Sequence, residues 1–193
     1  MSETARSSLD AGRILVATPS LLDPNFARTV VLLLDVDENG ALGVVLNRPS
    51  QVPVDEVLPA WSASAVEPPV LFSGGPVSQD SALAVAALTR ADSPDSDPVG
   101  FRRLYGEVGI VDLDTPAQLL APALTRLRIF AGYAGWGTGQ LMAEIEQDAW
   151  YVVPSLRTDL FGADQEGLWR RVLRRQPGEL AWASTRPLDP SMN

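Results

Sequence analysis

The 193-residue chain contains no cysteine, no histidine and no lysine. Without cysteine there is no disulfide framework, thiol nucleophile or zinc–thiolate site. Without histidine the Ser-His-Asp, Cys-His and His-ligated metal arrangements are all excluded. The missing lysine removes Schiff-base chemistry and the P-loop lysine, although a GC-rich genome that spells its cations as arginine accounts for that absence by itself. Acid–base work would fall to Asp, Glu or Tyr, and a metal would find only oxygen ligands. Long apolar runs are missing too. Nothing approaches the roughly 20 residues of a membrane-spanning helix. Residues 1–10 are polar with a lone Arg6, unlike a signal or transit peptide. The expectation is a cytoplasmic protein with no membrane partner, no cofactor, no metal and no catalytic residue that the sequence identifies.

Basic charge is in short supply: 15 arginines stand against 24 acids, a net charge of −9. Neutralising phosphates supplies most non-specific affinity for nucleic acid, so this balance argues against direct DNA contact. One local exception is Arg170, Arg171, Arg174 and Arg175, which share one face at helical spacing. A solvated helix face explains them more simply than a patch for an anionic partner.

What is present fits one folded domain. Apolar residues make up 46% of the chain and charged residues 20%, values of a globular protein with a proper core. The pattern places a polar tail at 1–10, a single compact domain at 11–180 and a second tail at 181–193. Residues 13–18 read as a buried strand ended by Pro19. Two β-branched and leucine-rich runs, 28–35 and 41–47, flank Asn39-Gly40, a strong hairpin signal, and their near-continuous apolarity predicts burial on both faces. Ser50 is placed to cap a short helix at 54–58, stopped by Pro59. Residues 70–73 read as a strand entering Gly74-Gly75-Pro76-Val77. Residues 81–89 have the Ala and Leu content of a helix but are assigned to a strand. A loop rich in Asp, Ser and Pro follows at 92–98, then a strand at 106–112.

Thr115 and Pro116 suit the cap and first position of a helix at 117–124. Further strands are expected at 127–131 and 150–153, and a last helix near 164–175. Strands and helices in mixed order with at least one hairpin indicate an α+β fold, a mixed sheet flanked by helices.

The chain is organised around residues 129–141, where an apolar run breaks into four glycines threaded with Tyr133 and Trp136 and then turns amphipathic. The pattern reads as strand, tight loop and helix, with positive φ at Gly137. The helix, about 138–147, is expected to turn Leu141, Met142 and Ile145 inward and Glu144 and Glu146 outward. Gly135-x-Gly137 resembles a dinucleotide-binding turn, with Asp159 at a distance suited to a ribose, but Gln140 occupies the third glycine position. Packing of Tyr133 and Trp136 around a backbone turn is the favoured reading. Arg48, just after a buried strand, either clamps a carboxylate or phosphate opposite the Gly74 and Gly75 N–H groups or ties the strand end to a nearby carbonyl or carboxylate; the tie is preferred. Thr29 has no His or Lys to activate it as a nucleophile.

Gly132-Tyr133-Ala134-Gly135-Trp136-Gly137 followed by Gly139-Gln140-Leu141 resembles the signature of the bacterial AlgH/YqgE family. Leu15-Val16-Ala17-Thr18-Pro19, Asp23-Pro24-Asn25-Phe26, Arg28-Thr29-Val30-Val31, Gly43-Val44-Val45-Leu46-Asn47-Arg48-Pro49 and Gly74-Gly75-Pro76-Val77 agree in order and rough spacing. The resemblance covers about residues 12–154. The family usually carries Glu after Gln-Leu, where this chain has Met142. The resemblance implies a protein often labelled a transcriptional regulator, without an established biochemical activity.

Three functional readings follow. The first is a non-enzymatic module that binds an unknown protein or small molecule, with Asn47, Arg48, Gly74, Gly75, Tyr133, Trp136, Gly137 and Gln140 as its binding residues. The second is an enzyme that uses an oxygen-ligated metal or a nucleotide and requires Asp23, Asp35 or Glu144 to converge. The third is the regulator that the resemblance implies. The glycine-rich segments are expected to lie beside each other or beside Asn47-Arg48-Pro49.

Overall fold

The computed structural model describes residues 9–89 and 97–185. Within them, Val30-Val31-Leu32-Leu33-Leu34 opens strand β2 (Val30–Asp37), and all five side chains are fully buried. A strand that is apolar on both faces needs cover on both. Its edges are taken by β1 (Arg13–Ala17) and β3 (Gly40–Val45), each antiparallel to it. The β2–β3 hairpin is core, but its turn sits one residue earlier than Asn39-Gly40 suggests. Asp37 faces Gly40 across the ladder, so Glu38 and Asn39 are central. Asp37 Oδ1 accepts the N–H groups of Asn39 at 2.7 Å and Gly40 at 3.1 Å, which sets the turn from its first residue.

Seven more strands complete the sheet: β4 (Pro49–Pro53), β5 (Val70–Ser73), β6 (Val77–Leu88), β7 (Phe101–Tyr105), β8 (Val108–Val111), β9 (Leu124–Gly137) and β10 (Trp150–Pro154). The order is β10-β1-β2-β3-β9-β6-β8-β7, with β4 paired to β5 and β5 paired to β9. Strand pairs are antiparallel except β5 with β9. The sheet curls until its two ends approach: Tyr105 Oη, closing β7, lies 2.8 Å from Ser155 Oγ, just past β10. Among the described residues six short α-helices accompany it, α1 (Val54–Val57), α2 (Ala117–Leu120), α3 (Gln140–Glu146), α4 (Arg157–Phe161), α5 (Leu168–Arg174) and α6 (Glu179–Ala183). The class is α+β as expected, with the sheet dominant.

Three apolar clusters follow from this layout. Ile14, Leu32, Leu46, Phe72 and Phe130 meet Leu160 and Phe161 of α4 and Leu168, Trp169, Val172 and Leu173 of α5 on one face of the sheet. Leu127 and Ile129 point the other way along β9 and pack with Trp61 and Leu120. A third cluster gathers Leu15, Val31 and Leu33 around Trp136 and Trp150. The alternation of Leu127, Ile129 and Phe130 between clusters is the period-2 geometry of a strand buried on both sides.

Several expectations need correction. Ser50 does not cap α1; it lies in β4, where its hydroxyl accepts the N–H of Val52. Thr115 does not cap α2 either, and that helix ends at Leu120 and continues as a short 3₁₀ segment. Residues 81–89 are mostly strand, as assigned, because β6 is sandwiched between β9 and β8 and that pairing overrides the helical preference of alanine. Strand β7 was missed because Arg102-Arg103 interrupts its apolar pattern. The last helix is shorter than 164–175, and α6 straddles the start of the predicted tail at 181. Most of the 92–98 loop lies outside the described residues.

Candidate functional site around the Gly-Trp strand

Residues 132–137 are not a loop. Strand β9 runs through them, pairing β6 along residues 124–131 and again at Tyr133, and β3 along residues 134–137. The β6 ladder shifts register at Gly132, whose φ is +71°. A Cβ there would stand 2.7 Å from Gly75 O and 2.8 Å from Val77 O, so only glycine lets the two backbones meet. Gly75 answers it: a Cβ on that residue would come within 2.2 Å of the Tyr133 carbonyl. The glycine-rich segments are thus adjacent, as expected, but each fits the other. Gly74 N–H donates to Ala131 O at 2.8 Å, and both Gly74 and Gly75 are buried. They do not form the outward-facing N–H cradle that the sequence suggested.

Gly137 does not take the positive φ expected of it; in this stretch Gly132 and Gly139 do. A Cβ on Gly137 would have Gln140 Oε1 as its nearest neighbour at 3.9 Å. The dinucleotide-turn reading fails for the same reason, since Gly135 and Gly137 are paired strand residues. Its acid, Asp159, is fully buried and bonded by both amino groups of Arg175, at 2.5 and 2.6 Å.

Trp136 and Gln140 belong to a closed polar network. Glu144 Oε2 accepts from Trp136 Nε1 at 3.0 Å and from Trp150 Nε1 at 2.8 Å, while its Oε1 accepts from Gln140 Nε2 at 2.9 Å. Gln140 Oε1 accepts the N–H of Gly137 at 3.0 Å. Phe26 stacks on Trp136 with ring centroids 6.1 Å apart and meets Trp150 edge-on at 5.6 Å. Glu144 therefore turns inward, against expectation, because two buried indoles need an acceptor. Met142, expected inward, is 46% exposed, so its replacement of the usual family Glu leaves the network intact.

Asn47 and Arg48 lie at the other end of β3. Asn47 Oδ1 accepts from Val30 N and its Nδ2 donates to Arg28 O, each at 2.9 Å, which ties the strand ends together. Arg48 Nη2 donates to Pro24 O at 2.9 Å and Ala27 O at 3.5 Å. This is the strand-end tie set against an anion clamp. Burial pushes the Arg48 guanidinium below its ordinary pKa, and Asp23 partly offsets that. Thr29 Oγ1 donates to Phe26 O at 2.7 Å. Asp23 accepts from Asn25 N, Asp35 lies 3.9 Å from Arg102, and Glu144 holds the indoles, so the three acids serve separate neighbourhoods. A cleft of about 250 Å³ opens beside Trp136, walled by Asp35, Asp37, Asn39 and Leu42.

The sequence reading passed over Arg128. It lies within β9, is 2% exposed, and sets its guanidinium carbon 4.2 Å from the centre of the Phe72 ring. Its Nη2 donates to Glu67 O at 2.9 Å and Gly162 O at 3.2 Å, while Nε and Nη1 are buried without an acceptor among the described residues. Burial pushes its pKa down to about 10, which still leaves it charged at neutral pH. An arginine between Leu127 and Ile129 in an apolar strand was the available signal.

An AlgH-like family model matches residues 14–181. The chain belongs to the AlgH-like family. It is 57% identical over all 193 residues to a UPF0301 protein of Streptomyces avermitilis, covering both chains fully. It is 44% identical to a UPF0301 protein of Mycobacterium leprae, covering 98% of this chain and 93% of that one. A crystal structure from Corynebacterium diphtheriae superposes with a TM-score of 0.89 at 34% identity, covering 94% of each chain. The solution structure of the AlgH protein from Pseudomonas aeruginosa gives 0.66 at 28%, covering 97% of this chain and 98% of that one. Among the described residues, no helix is long and apolar enough to cross a membrane.

Proposed function

We propose that this AlgH-like chain is a non-enzymatic module that binds a protein or small ligand, with the cleft beside Trp136 as its docking surface. The observation that supports this reading is the saturation of the family signature by itself. Gln140 and Asn47 of the signature, with Glu144 beside them, spend their polar atoms on one another, on indoles and on backbone groups, and Arg48 bonds backbone carbonyls through Nη2, so the signature supplies shape and rigidity and not reactive groups. Asp35 and Asp37 at the cleft favour a cationic group on the partner. The regulatory role that the family label implies requires no DNA contact under this reading. Of the four clustered arginines, Arg171 already bonds Asp164 and Arg175 bonds Asp159.

The test has two arms. Purified protein incubated with nucleotides, phosphate esters and carboxylic esters, with magnesium or manganese, is expected to give no turnover above buffer. Turnover abolished by Glu144→Gln would overturn the reading. In the second arm, host proteins retained by the wild type and lost on Asp35→Arg support it, since Asp35 is an exposed residue on the cleft.

A further inference from the structure

A second cleft, of about 290 Å³, lies apart from Trp136 between the start of β9 and helix α4. Arg126, Arg157, Thr158, Phe161 and Gly162 line it. Arg126 and Arg128 are two residues apart on β9 and therefore project from the same face of the strand. Arg128 is the buried member: one of its amino groups bonds Gly162 O, a wall of the cleft, while its Nε and Nη1 have no acceptor among the described residues. Arg126 is exposed and joins no ion pair among the described residues. Among the described residues Arg157 pairs with Glu107 at 3.3 Å, a partly exposed and therefore weak contact.

The remaining acids nearby are committed or remote in function. Asp159 of α4 is neutralised by Arg175, and Glu67 offers Arg128 its backbone carbonyl. Two guanidiniums thus line one cleft, with half-buried Glu107 bonded to one of them, and a third, buried guanidinium is tied to the Gly162 carbonyl in its wall, in a chain whose net charge is −9. A buried cation that lacks a counter-charge is costly, and its field is little screened. An oxyanion with several acceptor lone pairs is the chemical complement of such a cluster, because guanidinium forks match phosphate geometry.

We propose that this cleft binds a phosphoryl oxyanion, with Arg126 and Arg157 contacting it and buried Arg128 holding the local potential positive. Thr158 is placed to add a hydroxyl donor, and Phe161 adds an apolar wall for an organic substituent. The ligand is either free phosphate or a small phosphate monoester, which share the group the arginines recognise.

Isothermal titration of the full chain with inorganic phosphate and, separately, glycerol phosphate tests this, with glycerol and chloride as controls at equal ionic strength. Saturable binding of either phosphoryl compound is expected, weakened at least about tenfold by Arg126→Ala or Arg157→Ala. The tighter of the two ligands then names the source. Arg102→Ala, which removes the same charge from another cleft, is expected to change nothing. Arg128→Met keeps the volume and removes the field; checked for folding by circular dichroism, it is expected to bind more weakly. No saturable heat with the wild type, equal loss in Arg102→Ala, or a folded Arg128→Met that binds as the wild type does would each overturn the proposal.

Discussion

Two charged side chains of this fold have opposite fates. Half-buried Glu144 finds three donors, two indoles and an amide, so both of its carboxylate oxygens are engaged. Arg128 finds two carbonyls and an aromatic face, and two of its nitrogens are left over. A charge saturated by buried donors is a fastener, since removing it strands those donors. An unsaturated one carries capacity for something further, at a cost to the fold. Trp136 and Gln140 of the family signature sit at the saturated pole, and the residue that suggests a ligand sits at the other.

The largest effect is expected at the saturated pole. Glu144→Ala would leave the indole N–H groups of Trp136 and Trp150 without an acceptor inside a cluster where both rings are at most 5% exposed. The expected loss is about 3 kcal/mol in urea unfolding, with a change in tryptophan emission. A loss near zero would mean that water replaces the carboxylate and that the network is not a fastener.

Gly132→Ala comes next. A Cβ at φ +71° and 2.7 Å from Gly75 O asks for both an unfavourable conformation and a displaced strand, for roughly 2 kcal/mol or more. Thermal unfolding of the variant with unchanged midpoint would show that the register shift of β9 against β6 does not need glycine.

Arg128→Met sharpens the contrast by its sign. Removing the cation gives up two carbonyl bonds but relieves a buried charge with two unpaired nitrogens, so stability is expected to hold within about 1 kcal/mol or to rise. A loss as large as that of Glu144→Ala would erase the distinction between the two poles. The smallest effect is expected for Gly137→Ala, within about 0.5 kcal/mol, because φ is not positive and the new methyl meets nothing closer than 3.9 Å. A clear loss in urea unfolding would count against that ordinary strand geometry.

Much of the sheet was legible because its signals are local. The continuous apolarity of residues 30–34 marks a strand buried on both faces, and Asn39-Gly40 marks the hairpin to within one residue. The Gly-Trp stretch was misread as a loop because glycine signals permissive backbone without saying what occupies the space. Here the occupant is another glycine strand end, Gly74-Gly75, more than fifty residues away in sequence. The same blindness hid Glu144. On a helix of charged and apolar residues it reads as solvent-facing, and only the approach of Trp150 from β10 makes the inward position favourable.

By itself the sequence determined the chemistry that is excluded, the α+β class and the family, since these follow from residue types, short-range periodicity and a recognisable signature. Tertiary structure alone decided which partners Asn47, Trp136 and Gln140 take, and that Arg126 and Arg157 line one cleft whose wall residue Gly162 is bonded by buried Arg128. Hydrogen-bond saturation and charge balance are sums over neighbours brought together from distant parts of the chain. No local pattern encodes such a sum, and folding is what evaluates it.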